Sequence, residues 1–344
     1  MKISLRTWLS IGTLVLIIII LFFTRHELVT AWHLMSQVNL WILSLILPLL
    51  LLNYFATGEM IFSYLRAKKT IDHIAALTLI RLSLEMNFVN HVLPSGGASG
   101  VSYMTWRLSG YKVPAARATM AQAVRFVVGF AAFTILLIIA VLFVTLDTGV
   151  NRVIILLSSS LVTAMLGITI AGVYFVSNIR RVRKVSKPIA DITNVVVRKV
   201  TFGRYPHVLA REKVQRFLEE MHEDFTELRG DFRILTRPFL WALLFTATDV
   251  AMYFVSFWAL GTLVNPAAIL IAYGTATIAG FALMTPGGAG GYEALMVMVL
   301  VVAGLSQGTA IAGVVLTRVI VLILILVVGY IFYHNALQRH GKRG

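Results

Sequence analysis

Cysteine is absent from all 344 residues. No disulfide, thiol nucleophile or cysteine-ligated metal can form within the chain. Charge is scarce as well. Asp, Glu, Lys and Arg make up 13% of the residues against 58% hydrophobic ones, about half the charged share of an ordinary soluble domain. Acidic residues are the scarcer sign, 15 against 30 Lys and Arg. Long polar stretches are nearly missing, and only Ser177–Arg237 is one. These deficits exclude a soluble protein and an enzyme domain built on thiol chemistry. The excess of positive charge does not call for nucleic acid. In a membrane protein it marks cytoplasmic loops and contact with anionic lipid.

Several patterns of site chemistry are also lacking. No Gly-Lys-Ser/Thr follows a glycine-rich stretch, no strand precedes one, and no Gly-x-Ser-x-Gly elbow occurs. No His, Asp and Glu set has metal-ligand spacing. The sequence therefore predicts no enzyme activity, no cofactor and no metal.

What is present is a series of apolar runs near the 20 or so residues needed to cross a bilayer. They predict helices over about Thr7–Phe23, Leu40–Leu65, Ile71–Val92, Ala118–Leu146, Val153–Val176, Phe239–Leu263 and Thr309–Tyr333. A shorter pair covers Ala267–Leu283 and Ala294–Ala303. Pro48 should interrupt the second helix. The first run follows Lys2 and Arg6 but has no small-x-small cleavage site, so it reads as a retained helix. The expected fold is an all-α polytopic membrane bundle, one domain over residues 1–344. It has about eight crossings and two broken or re-entrant segments. Within 177–237, a basic loop with 14 Lys and Arg against 8 acidic residues, Val214, Phe217, Leu218, Met221, Phe225 and Leu228 recur at helical spacing and predict an amphipathic helix.

The two breaks are Leu93–Gly100 (LPSGGASG) and Thr285–Glu293 (TPGGAGGYE). Proline and clustered glycine cannot continue a helix, and irregular backbone at membrane depth must be buried or line a wet cavity. Transporters place such breaks at substrate sites. Both leave backbone N–H groups near helix N-termini, where anions bind; tight helix packing through small residues is the competing reading. The positive-inside rule puts both termini, Arg66–Lys69, Arg107–Arg117 and the loop in the cytoplasm. The breaks then point into the membrane from opposite faces, as an inverted repeat would produce.

Ionisable residues lie within the apolar runs, where they are costly. Arg81, Arg125 and Arg318 could grip a lipid phosphate. The alternative is internal pairing: Arg81 with Glu85 four residues on, and Arg125 or Arg318 with Glu293 or Asp249. Arg81, Glu85 and Asp249 are candidates for ion pairing or proton coupling.

The stretch TPGGAGGYEALMVMVLVVAG with the later LTRVIVL resembles the flippase-like transmembrane domain of lysylphosphatidylglycerol synthases. The family pattern there is Pro-Gly-Gly-x-Gly-x-x-Glu with a later Arg, here Pro286, Gly287, Gly288, Gly290, Glu293 and Arg318. LPSGGASGVSYMTWRLSG is similar to the family's first motif. It has Gly where Arg is common, Ser99-Gly100 near the acidic position and Val124 in place of Glu before Arg125. The resemblance spans essentially the whole chain and implies a lipid flippase fold in the cytoplasmic membrane, without the soluble synthase domain. Its head-group ligands would be Pro94, Gly96, Gly97, Gly100 and Arg125 in the first motif, with the six residues of the second. The implied partners are a phosphate-bearing lipid head group, anionic lipid at the basic loop and a lipid-modifying enzyme. The alternative is a non-transporting scaffold that holds a separate lipid-modifying transferase through the basic loop.

Overall fold

The computed structural model describes residues 22, 25–34, 36–93, 98–146, 152–184, 188, 191, 211–283 and 290–334. The expected helix Thr7–Phe23 lies almost wholly outside this set, as do Pro94, Gly96, Gly97, Pro286, Gly287 and Gly288 and most of the basic loop before Arg211.

Every described element is helical. In chain order they are α1 (Arg25–Leu34), α2 (Leu40–Leu43), α3 (Ile46–Ala67), α4 (Ala76–Val92), α5 (Ala98–Ser109), α6 (Ala115–Leu146), α7 (Arg152–Val176) and α8 (Arg211–Gly230). A 3-10 turn (Phe232–Leu235) leads into α9 (Thr236–Ala259), α10 (Pro266–Leu283), α11 (Gly291–Val302) and α12 (Gln307–Leu324), which continues through a π-helical turn at Ile325–Gly329. Local chemistry explains the boundaries. Pro48 has no N–H for the carbonyl four residues earlier, and its ring would collide with it. The chain accordingly breaks at Ser44 and Leu45, between α2 and α3, three residues before the proline. Asn39 and Ser306 cap α2 and α12 through their side-chain oxygens, meeting N–H groups that a helix start leaves unpaired.

Among the described residues, five helical stretches are long and apolar enough to span a membrane: Leu40–Ala67, Ala115–Leu142, Ser158–Val176, Phe232–Ala259 and Gln307–His334. That is fewer than the eight crossings expected. Part of the difference is Thr7–Phe23, and the rest lies in two helical hairpins. In each, α4–α5 and α10–α11, a first arm of 17 or 18 residues meets a second arm of 12. At 1.5 Å per residue a 12-residue helix reaches about 18 Å, well short of the roughly 30 Å hydrocarbon core.

The helices fall into two matching series, α3–α4–α5–α6 and α9–α10–α11–α12. Each is a long helix, a hairpin and a second long helix. Neighbours correspond as well: α3 packs on α4 and α6 as α9 packs on α10 and α12, while α10 lies on α6 as α4 lies on the far end of α12. The central pair runs antiparallel. The Asn39 N–H donates to the Ala259 carbonyl at 2.9 Å, Asn53 meets Asp249 at 3.0 Å, and the Phe55 and Trp241 rings meet edge-on at 5.2 Å. Short links tie α4 and α5 to the face where α9 begins, and α10 and α11 to the face where it ends. The arms of the two hairpins therefore run into the bundle from opposite faces, the topology of an inverted repeat.

Close approach holds the bundle. A Cβ at Gly313 of α12 would stand 2.1 Å from the Phe257 ring of α9, so only glycine allows these helices to touch. α7 stays outermost. Its Leu156, Ile168, Ile170 and Tyr174 are exposed, a surface that belongs in lipid rather than water. At the face where α9 begins, α8 lies against α6. It buries Val214 and Leu228 and pairs Asp224 with Arg117 at 3.1 Å and Glu227 with Lys68 at 2.7 Å. The Lys68 hydrogen bond holds the Glu227 carboxyl below its ordinary range.

Candidate polar chamber

Six helices meet around a polar cavity of about 200 Å³. It is lined by Asn53 and Tyr54 of α3, Asn87 and His91 of α4, Asp249 and Tyr253 of α9, Tyr273 and Thr277 of α10, Tyr292 of α11, and Thr317 and Arg318 of α12. Liquid water takes about 30 Å³ per molecule, so the cavity holds about six waters or one small polar head group. It cannot hold acyl chains. A larger apolar cavity of about 840 Å³ lies on the opposite side of α9, between α6 and α10, lined by residues such as Ile139, Val250, Phe254 and Leu270. α9 thus presents Asp249 and Tyr253 to the polar chamber and Val250 and Phe254 to the apolar one.

Arg318 anchors the chamber. Its Nε donates to Glu293 Oε1 at 2.7 Å, and its guanidinium lies over the Tyr292 ring, 4.4 Å from the centroid. Glu293 is buried in the first turn of α11, and its Oε2 accepts the Gly290 N–H at 2.7 Å. Gly290 sits at φ +85°, a backbone conformation that glycine adopts at no steric cost. One carboxylate therefore seals a helix start with one oxygen and neutralises a half-buried arginine with the other. Tyr253 donates to Tyr292 at 3.4 Å. The Tyr54 hydroxyl is enclosed and has no hydrogen-bond partner.

Asp249 forms no ion pair among the described residues. The expected bridges from Arg125 or Arg318 are not made. Asp249 instead accepts from the Tyr273 hydroxyl at 2.5 Å and from Asn53 Nδ2 at 3.0 Å. The expected Arg81–Glu85 pair is also absent. Arg81 is exposed, and Glu85 is turned inward to α5, where Arg107 Nε and the Tyr103 hydroxyl each reach it at 2.9 Å. A buried carboxylate takes the cation that can be buried with it, and α5 brings one across the hairpin.

Two of the backbone donors expected to be free in the motifs are occupied. Gly100 N–H donates to Asn90 Oδ1 at 2.9 Å, as Gly290 N–H does to Glu293. Arg125 has no hydrogen-bond or ion-pair partner among the described residues. It is half-buried, its enclosed Nε makes no hydrogen bond, and its guanidinium lies 4.5 Å from the Phe126 ring centroid. One turn earlier on α6, buried Gln122 gives its amide only to the Met86 sulfur at 3.7 Å and leaves Oε1 unpartnered. Thr105 of α5 faces Thr119 of α6 at 3.4 Å. In this antiparallel pair Arg125, six residues past Thr119, stands level with Ser99, six before Thr105. The two arginines thus occupy matching places, each on the long helix after a hairpin and level with the first turn of that hairpin's short arm.

A family model described as the lysylphosphatidylglycerol synthase TM region matches residues 8–329. The chain belongs to that family. No curated protein and no solved structure matches it. Membership of the lysylphosphatidylglycerol synthase TM region, with the five apolar helices, makes this a multi-pass membrane protein of a family linked to lipid modification. Asn53, Tyr253, Tyr273 and Arg107 were not singled out from the sequence. Tyrosine is too common in membrane helices to mark a site, and Arg107 reads as one of a positive cluster at a loop.

Proposed function

We propose that this protein translocates a phosphate-bearing lipid between leaflets, passing its head group through the polar chamber while the acyl chains stay in lipid. The observation that carries this reading is the chamber itself: a polar cavity enclosed by apolar helices, fitted with an arginine at the start of a hairpin's short arm. Such a chamber costs stability and adds nothing to packing. Its volume suits a head group and excludes chains, and hairpins entering from opposite faces match the way transporters open a central site to each side in turn. The phosphate ligands would be Arg318 and Arg125, approached from the two halves, with the motif residues Pro94, Gly96, Gly97, Pro286, Gly287 and Gly288 shaping the tips. Gly100 and Gly290 serve the helix starts rather than the lipid. Protein reconstituted into liposomes should speed the exchange of a fluorescent phosphatidylglycerol between leaflets, and Arg125→Met should remove that gain. Equal exchange in liposomes with and without protein would reject the reading.

The scaffold alternative draws on the basic loop. Its described helix α8 spends Asp224 and Glu227 on the protein's own Arg117 and Lys68, so this part of the loop is docked on the bundle.

A further inference from the structure

Four acidic side chains lie among the described membrane helices, and three are matched with arginine. Glu59 pairs with Arg66, Glu85 with Arg107 and Glu293 with Arg318. Asp249 is the exception, held only by the neutral donors Tyr273 and Asn53. An isolated carboxylate in such a site is costly, and taking up a proton removes most of the cost.

The surroundings suit both forms of the acid. Asn53 Nδ2 lies within hydrogen-bond distance of three acceptors, the Phe245 carbonyl at 3.1 Å, Thr248 Oγ1 at 3.0 Å and Asp249 Oδ1 at 3.0 Å. An amide nitrogen carries two hydrogens. When Asp249 is ionised, Asn53 can turn one toward it. When Asp249 holds a proton on Oδ1, both hydrogens remain satisfied by Phe245 and Thr248. Tyr273 serves Oδ2 in either state. The Tyr54 hydroxyl, enclosed and without a hydrogen-bond partner among the described residues, lines the same chamber and offers a further polar atom.

We propose that Asp249 takes up a proton as an anionic head group enters the chamber and releases it as the head group leaves, so that head-group movement is coupled to protons. A phosphate at Arg318 adds negative charge beside an arginine that is already shared with Glu293. A second bare carboxylate there would repel it. Protonation of Asp249 and phosphate binding therefore favour each other, and the linkage is reciprocal. The proton comes from water on one side and returns to water on the other. The remaining groups facing Asp249 have other duties or are neutral. Arg318 is held by Glu293, His91 Nδ1 lies 2.8 Å from the Asn87 carbonyl, and Tyr253 meets Tyr292.

The coupling rests on the lipid reading above, so the test has two arms. When the lipid-free protein is acidified, infrared spectroscopy should show a protonated carboxylic acid that forms within the chamber and disappears on alkalisation. It should be missing in Asp249→Asn, kept in His91→Gln and shifted in Tyr273→Phe. If no such acid exists, or if it survives in Asp249→Asn, the proton site is refuted whatever the protein transports. In detergent, a short-chain phosphatidylglycerol should bind more tightly as pH falls, by up to about tenfold per pH unit for one linked proton, and with no such slope in Asp249→Asn. Binding with a flat pH response overturns the coupling. No binding at all, with the infrared signal present, overturns the lipid reading and with it the coupling, and leaves a proton site.

Discussion

Glu293→Gln isolates the charge in the chamber's anchor. Glutamine has nearly the same shape, and its side-chain oxygen can still accept the Gly290 N–H, so the start of α11 keeps its cap. What disappears is the negative charge 2.7 Å from Arg318 Nε. Coulomb's law at that distance, with an effective dielectric constant of about 20, gives an attraction of about 6 kcal/mol. Desolvation of the pair offsets much of it, but removing one partner leaves an uncompensated, half-buried cation, against about 3–5 kcal/mol for a fully buried one. The Tyr292 ring beneath the guanidinium softens the loss, so the lower end, about 3 kcal/mol, is expected. Thermal unfolding of the purified protein in detergent should drop by several degrees. The double variant Glu293→Gln with Arg318→Met removes both charges and should recover at least half of the loss. Glu293→Ala also removes the cap and should fall about 1 kcal/mol below Glu293→Gln. A Glu293→Gln protein within 1 °C of the parent, or a double variant no better than the single one, would refute the reasoning.

Arg125→Met should behave oppositely for stability, because it removes a cation without a partner. Stability against unfolding should hold or rise, by about 1 kcal/mol or more, while lipid exchange is lost. Arg318→Lys should leave the folded protein intact and reduce lipid exchange, since a point charge cannot keep the bidentate reach of a guanidinium. Gly313→Ala should cost about 1–3 kcal/mol by overpacking, because the new Cβ would meet the Phe257 ring at 2.1 Å, and Phe257→Leu in the same chain should restore part of it. Acid should loosen α8. The Glu227 carboxyl is held below its ordinary value of 4.5 by Lys68, so its contribution is present above that value and fades as pH falls through the lower folded one. The pair is exposed on the Glu227 side and contributes under about 1 kcal/mol. Hydrogen exchange across Arg211–Gly230, corrected for intrinsic rates, should quicken in acid for the parent and show less pH response in Glu227→Gln.

The fold was legible where one run of residues carried the signal. Apolar length placed the long helices within a few residues, and proline with clustered glycine falls between Val92 and Ala98 and between Leu283 and Gly291, where one described helix ends and the next begins. The breaks were legible because no helix can pass through them, whatever surrounds them. The partners of the buried charges were not. Arg81 and Glu85 satisfy the four-residue rule, yet a helix places those positions about 40° apart around its axis, and here that divides the exposed surface from the core. Glu85 finds Arg107, 22 residues away, because α5 folds back against α4, and nothing local announces that contact. Asp249 shows the same limit. Its donors come from α3 and α10, so an acid that reads as half of a salt bridge has neutral company. Arg318 and Glu293 stood out as members of the second motif lying in apolar runs; they meet because the short arm and the long helix are consecutive and antiparallel, which brings positions 25 apart to one level.

The most direct test of the central claim is the exchange of fluorescent phosphatidylglycerol between leaflets in liposomes holding the purified protein. The parent, Arg125→Met and empty liposomes should be compared at the same lipid composition, with folded protein verified in each preparation. The account predicts fast exchange for the parent and a rate near that of empty liposomes for Arg125→Met, although the variant is at least as stable. Parent protein that exchanges lipid no faster than empty liposomes, or an Arg125→Met protein that exchanges it as fast as the parent, would contradict it.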